Sequence, residues 1–369
     1  MKKFSMMIHK WLGLALSLWL LLVTITGTVL LYKNDLLVLT YPQLEQSQKA
    51  TQQQAIDIMQ SGAMSEESRY VFVPTELHPW VEAIEASGDR AYYSTEGELL
   101  VQRSKYGDWI SWFVEFHHHL LLNDIGEELQ GIFGLLTLLI FITGLIKWWP
   151  KGKWQKRDLG VTFSRPGKKR WGQTLWQSHR TLGVVLLVPM LILVVTGTAM
   201  IYSQAFNQAL NTTFPQHHRE PVDYTSMIEE QNQASKDLPA DWATRLQQVS
   251  TVLPELRPVM VYLNSDKLRM KQPEEWHPNG RSYVSFHPNT SQISEVTNYR
   301  DQTLGTKISQ TFYALHIAEV GGLTYFTIAV ISGIAMVWIT VSGFWFWFWL
   351  WCRNKKKHAK NKASQKEKK

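Results

Sequence analysis

Four stretches of this chain carry no charged side chain, and each is about as long as a bilayer is thick. They are Trp11–Tyr32 (22 residues), Leu129–Ile146 (18), Leu182–Tyr202 (21) and Gly321–Cys352 (32). At a rise of about 1.5 Å per residue, such runs cross a hydrocarbon core of about 30 Å as helices, the 18-residue run only just. The mean hydropathy of −0.18 conceals them, because the rest of the chain is polar.

The charges are segregated to match. The net charge of +7 on 369 residues suggests a basic, nucleic-acid-binding protein. Yet segments 1–10, 147–170 and 353–369 hold 21 of the 38 Lys and Arg residues and only two acids, Asp158 and Glu367. With four spans, all three basic segments fall on one side. Short loops rich in Lys and Arg stay in the cytoplasm. The two long, acid-rich segments then lie outside. This distribution excludes a nucleic-acid partner and predicts a multi-pass membrane protein with both termini cytoplasmic.

The predicted layout is a cytoplasmic N-terminus with helix 1 (1–32), an outer domain (33–115), helix 2 (116–149) and a basic cytoplasmic loop (150–178). Helix 3 (179–202), a second outer domain (203–315), helix 4 (316–352) and a basic tail (353–369) follow. Lys2 and Lys3 before an apolar run resemble a signal peptide, but the run is longer than a signal core and lacks a small-x-small site, which reads as an uncleaved anchor. The single cysteine, Cys352, excludes an intramolecular disulfide and Cys-x-x-Cys-His haem attachment. Twelve of the 17 tryptophans lie in or beside the spans, where amphipathic indoles favour the headgroup level.

The chain also repeats itself. Residues 9–32 align without gaps on 179–202 at an offset of 170, with nine of 24 positions identical. The informative matches are His9/His179, Gly13/Gly183, Thr26-Gly27-Thr28/Thr196-Gly197-Thr198 and Tyr32/Tyr202. A weaker repeat at offset 199 pairs His117/His316, Gly134/Gly333 and Gly144/Gly343. These matches predict an α-helical membrane protein with four transmembrane helices, built as two parallel repeats of helix, outer domain, helix. Glycine and threonine at matched positions let helix backbones approach closely in lipid. The outer segments read as two small α+β domains. The first has a helix over Gln52–Gln60 and strands over Arg69–Pro74, Trp80–Ala86 and Ala91–Arg103, the last turning at Glu96-Gly97. The second has a helix over Pro239–Leu253 and strands over Val259–Leu263 and Arg281–Phe286.

The histidines sit at the membrane edges. His9 and His179 begin helices 1 and 3. His117, His118 and His119 precede helix 2, and His316 precedes helix 4. An axis relating the repeats pairs His9 with His179 and His117 with His316, and each pair can clamp a planar metal cofactor. Imidazole nitrogen suits iron, and axial histidines hold haem. Without cysteines for attachment the cofactor is haem b, two per chain, each bis-histidine. The choice of His117 over His118 and His119 rests on the offset alone. His78, His217, His218, His277 and His287 read as exposed surface residues of the outer domains, with His217-His218 a weak metal site. Glu115, Asp124, Glu127 and Glu128 lie near the predicted outer cofactor, where its substrate would approach, though solvation explains them equally.

With these motifs in order, the chain resembles the PepSY-associated transmembrane family of iron-regulated, iron-uptake membrane proteins. The resemblance rests on His9–Gly13 with Thr26-Gly27, His117–Leu121, His179–Gly183 with Thr196-Gly197, and Leu315-His316 before a span ending in Gly343 and aromatics. AYYSTEGELLVQR (91–103) resembles the end of a PepSY domain. The resemblance implies an oxidoreductase: a di-haem reductase of ferric siderophores or other ferric chelates, with His9 and His179 on the inner haem and His117 and His316 on the outer. No flavin or NADPH domain is present, so the donor is a separate cytoplasmic flavoprotein/NAD(P)H reductase or a membrane quinol. A haem-free sensor or protein-interaction anchor remains the alternative. A transporter is disfavoured by the absence of Asp, Glu, Lys or Arg from the charge-free spans.

Overall fold

The computed structural model describes residues 2–47, 50–150, 171–214 and 223–366. In chain order its helices are α1 (Lys2–Leu30), α2 (Lys33–Thr40), α3 (Gln52–Gln60), α4 (Trp109–His119), α5 (Asn123–Trp148), α6 (Trp171–Val185), α7 (Leu187–Ile201), α8 (Ser203–Thr213), α9 (Thr225–Ala234), α10 (Trp242–Val252), α11 (Leu304–His316) and α12 (Gly322–Lys366). Its strands are β1 (Ser68–Phe72), β2 (Val81–Glu85), β3 (Arg90–Tyr93), β4 (Leu99–Arg103), β5 (Arg257–Tyr262), β6 (Lys267–Lys271), β7 (Ser282–Phe286) and β8 (Ile293–Thr297). The described residues fall into two compact units, one within Met1–Leu31, Phe116–Ile201 and Gly321–Lys369, the other within Tyr32–Glu115 and Tyr202–Val320.

The first unit is a helical bundle. Among the described residues three helices, α1, α5 and α12, are long and apolar enough to span a membrane. A fourth span results if α6 and α7 are counted as one, although they meet at 69°. That bend departs from the straight third helix expected over 179–202, and its cause is Pro189. Proline has no N–H to offer the carbonyl four residues back, and its ring clashes with that carbonyl. The helix therefore stops at Val185 and restarts at Leu187, leaving proline in the first turn, where it is tolerated. The matching residue of α1, 170 positions earlier, is Trp19, and α1 runs unbroken.

Helix α1 packs on α5 and α12, α12 packs on α6 and α7, and α5 packs on α7. The close contacts recur at the sequence offsets. A Cβ on Gly333 would lie 2.1 Å from Thr28 Oγ1, and one on Gly134 would lie 2.3 Å from Thr198 Oγ1. Both sites need glycine for the same reason: the facing threonine occupies the space of a side chain.

The second unit corrects the expectation of two separate outer domains. Both segments contribute to one antiparallel eight-stranded sheet in the order β4-β3-β2-β1-β5-β6-β7-β8. The seam is β1 with β5, paired Tyr70↔Tyr262, Val71↔Val261 and Phe72↔Met260. Shifting by the separation of Val71 from Val261 maps these pairs onto one another, so the seam is self-complementary in the manner of a two-fold interface. One face is covered by α3 and α10, whose Ala55, Ile56, Ile58, Leu246 and Val249 pack with Val71, Val81, Val261 and Leu268 in one core. A lone four-stranded half would expose its edge and half of this core, so the halves pair. Helix α3 starts at a Thr51 capping box. Strands β6 and β8 and helix α9 lie outside the expected elements. The proposed helix from Pro239 starts only at Trp242, capped by Asp241. The expected second and fourth helices differ as well: each is preceded by a separate short helix, α4 or α11, and α12 continues to Lys366 through the basic tail.

Candidate functional site

The sequence-predicted histidines His9 and His179 meet inside the bundle. Their ring centroids are 6.2 Å apart, with the planes at 86°. Each ring is held by a different helix. His9 Nδ1 lies 3.0 Å from Ile140 O of α5, and His179 Nδ1 lies 2.8 Å from Ile339 O of α12. The two bonds are equivalent under the offsets of 170 and 199. A carbonyl can only accept, so Nδ1 carries the proton in each ring and Nε2 carries the lone pair. This is the arrangement of a metal-ligating histidine, whose other nitrogen is anchored by an outer hydrogen bond.

His117 is held in the same way, with Nδ1 3.0 Å from Val23 O and 3.3 Å from Thr26 Oγ1. His9 Nδ1 is likewise 3.4 Å from Thr143 Oγ1. The three sites define a cradle: a helix carbonyl, a hydroxyl three residues on, and a glycine four residues on. The triplets are Ile140-Thr143-Gly144 for His9, Val23-Thr26-Gly27 for His117 and Ile339-Ser342-Gly343 for His179. The carbonyl already accepts a helical N–H and shares its other lone pair between the imidazole N–H and the hydroxyl three residues on, which donates at 3.0 Å from Thr143, 3.0 Å from Thr26 and 3.1 Å from Ser342. A side chain on the residue four positions later would cover it. A Cβ on Gly144 or Gly343 would lie 3.0 Å from the histidine Cε1, and one on Gly27 would lie 2.5 Å from it. Sequence reasoning used these glycines as helix contacts and missed the cradle. The readable signal is Thr/Ser-Gly three residues beyond an apolar position, and it recurs in α7 at Leu193, Thr196 and Gly197.

The triplet resolves into three environments. His117 contacts α1, His118 is exposed, and His119 lies 3.9 Å from Glu127. His316 is half-buried at the end of α11, in the second unit. His217 and His218 lie outside the described residues. His287 is exposed. His277, expected at the surface, is buried and stacks on Tyr313 with centroids 4.8 Å apart. Burial, with Arg281, Arg269 and Lys271 nearby, pushes its pKa down to about 2. Of the acids, Glu115 pairs with Lys105 at 3.4 Å, while Asp124 and Glu128 are exposed.

His9 and His179 line a cavity of about 790 Å³, within the usual range of about 300–1,000 Å³ for cofactor sites. Gly13 and Gly183, one turn from each histidine, face open space there. Lys3, Lys10, Lys147 and Arg180 stand on its wall. The residues fit a haem. Two imidazoles on one metal at about 2 Å each place their ring centres roughly 6 Å apart, close to the spacing found. The two glycines leave flat room for a macrocycle, and the four cations suit its carboxylates.

The second unit carries its own ionic network. Arg103 donates to Asp108 at 2.8 and 3.1 Å and to Ser111 at 2.9 Å. Burial works against the Asp108 charge, but these bonds hold its pKa at about 2. Burial also raises Glu82, yet Arg90, His78 and Lys33 around it hold it well below the carboxylate range. Burial pushes Lys33 down to about 8. The ion pairs of Glu82 with Arg90 and His78, and of Asp108 with Arg103, read as structural.

With this geometry in place, the chain falls in the class of helical membrane proteins. It matches the family described as "PepSY-associated TM region" over residues 6–349, and it belongs to that family. Comparison with curated proteins returned no match.

Proposed function

We propose that this protein carries electrons across the bacterial inner membrane to a ferric chelate, such as a ferric siderophore, on the periplasmic side. In this reading the chain has four spans in two parallel repeats, cytoplasmic termini and PepSY-like outer segments. His9 and His179 hold an inner haem b, and His117 and His316, matched by the repeat, hold an outer one. The carrying observation is the facing pair His9 and His179, each with Nδ1 fixed to a helix carbonyl beside a glycine-lined cavity. Haem, when bound, supplies reversible one-electron chemistry that apolar side chains lack. The chain's own residues orient the imidazoles, set their tautomer and exclude water with the surrounding helices. Electrons enter from a cytoplasmic flavoprotein or from quinol.

Proteoliposomes provide the test. With a reductant enclosed on the cytoplasmic face and a ferric chelate plus a ferrous-iron indicator outside, wild type produces colour and His179→Ala does not. Equal rates from wild type and His179→Ala contradict the proposal.

A further inference from the structure

The apolar span α5 contains one buried amide, Gln130, which is 5% exposed. Its two ends are both engaged. Trp19 Nε1 on α1 donates to Gln130 Oε1 at 2.6 Å, and Gln130 Nε2 donates to the carbonyl of His117 at 2.6 Å. Trp19 also packs edge-on against Phe133, one turn along α5, with centroids 5.1 Å apart.

The carbonyl of His117 needs this donor because α4 ends there. The last four carbonyls of a helix have no partner within it. Phe116 O receives Leu120 N at 3.0 Å, and His119 O receives Leu122 N at 2.8 Å. The chain then turns through left-handed backbone at Leu120 (φ 49), Leu121 (φ 61) and Asn123 (φ 51). Side chains resist that region, so such a corner persists only where its surroundings fix it. Gly126 contributes, since a Cβ there would overlap His119 O. Gln130 contributes from its side chain, donating to the carbonyl of His117 at 2.6 Å and lying 3.4 Å from that of Phe116. The counterpart helix α11 ends differently, on backbone bonds from Ile317, Ala318 and Glu319. The residue 199 positions after Gln130 is Ala329, which has no amide. The two ends of the repeat are therefore chemically distinct.

We propose that Gln130, oriented by Trp19, is a positioning residue for the outer histidine: it fixes the backbone of His117 while the Val23-Thr26-Gly27 cradle fixes its ring. The proposal rests on the haem reading above. It assigns His117 a buried side-chain amide as its support.

The test uses the full-length protein in detergent, with haem content per chain and a potentiometric titration followed by reduced-minus-oxidised spectra. Gln130→Leu keeps the volume and removes both bonds; Trp19→Phe keeps the ring packing and removes only the indole donor. Gln130→Leu is expected to lose at least half of one haem signal, or to shift its midpoint, while the other signal stays as in wild type. Trp19→Phe changes the same signal less. If Gln130→Leu loses both signals, Trp19→Phe decides: a selective change supports the proposal, and none overturns it. A red wild type whose two signals are unchanged in both variants overturns the proposal alone. A colourless wild type from haem-replete cells overturns the haem reading with it.

Discussion

Replacing Gly27 by alanine tests the cradle most sharply. The added Cβ would lie 2.5 Å from His117 Cε1, whereas carbon atoms settle at about 3.5 Å. The imidazole must retreat by about 1 Å. Its Nδ1 now stands 3.0 Å from Val23 O, and the retreat opens this to roughly 4 Å, beyond any hydrogen bond. The lost bond costs about 1 kcal/mol. Losing an outer anchor of a ligating histidine lowers metal affinity about 10–100-fold. Gly144→Ala and Gly343→Ala are milder, because their contacts of 3.0 Å ask for only a few tenths of an ångström. Alanine is also the better helix former by about 1 kcal/mol, so the helices themselves do not weaken. The assay is haem retained per chain after a wash with a haem-binding competitor. Gly27→Ala is expected to lose its haem at least tenfold more readily than wild type, with the other two variants between. A Gly27→Ala protein that retains haem as wild type does refutes the cradle.

Gly134→Val and Gly333→Val each drive a side chain into a threonine on the facing helix, and both should lower the thermal midpoint in detergent by similar amounts. Asp108→Asn strips the partner from the buried Arg103, a loss of about 3 kcal/mol read by denaturant unfolding. In wild type the folded pKa of Asp108 is depressed, so its contribution is complete above pH 3.8 and is lost as pH falls toward 2. Glu275 has the opposite sign, with burial pushing it from 4.5 up to about 7. The folded chain holds that proton more tightly, so stability falls as pH rises across this window and is level above it. Glu275→Gln should remove that slope in unfolding curves taken from pH 4 to 8.

Much of the bundle was legible because lipid imposes simple rules. Charge-free length gave the apolar helices, and equal offsets singled out His9 and His179 before any contact was known. The bend at Pro189 is legible in principle, since the proline is the third residue of α7 and its effect on the preceding turn is local chemistry, which hydropathy ignores. The single sheet was not legible. Strand pairing between Val71 and Val261 is set by edge complementarity, and nothing in either strand alone names its partner. Strand β6 alternates as Lys267-Leu268-Arg269-Met270-Lys271 and is legible in principle, whereas Ser294-Glu295 between Ile293 and Val296 breaks the alternation of β8. His277 misled for a related reason: its loop looks polar, but Tyr313 and the sheet enclose it. The cradles escaped notice because they join a backbone oxygen to a side chain on another helix, a pairing no residue-type pattern displays.

In the proposed function, His9 and His179 hold one cofactor between α1 and α6. The most direct measurement is haem per chain, by absorbance and protein assay, for wild type, His9→Ala, His179→Ala and the exposed-site variant His118→Ala. About two haems are expected for wild type and His118→Ala, and about one for His9→Ala and for His179→Ala, with the same signal missing from both. Full haem content in His9→Ala and His179→Ala, or loss of different signals in the two, contradicts this arrangement.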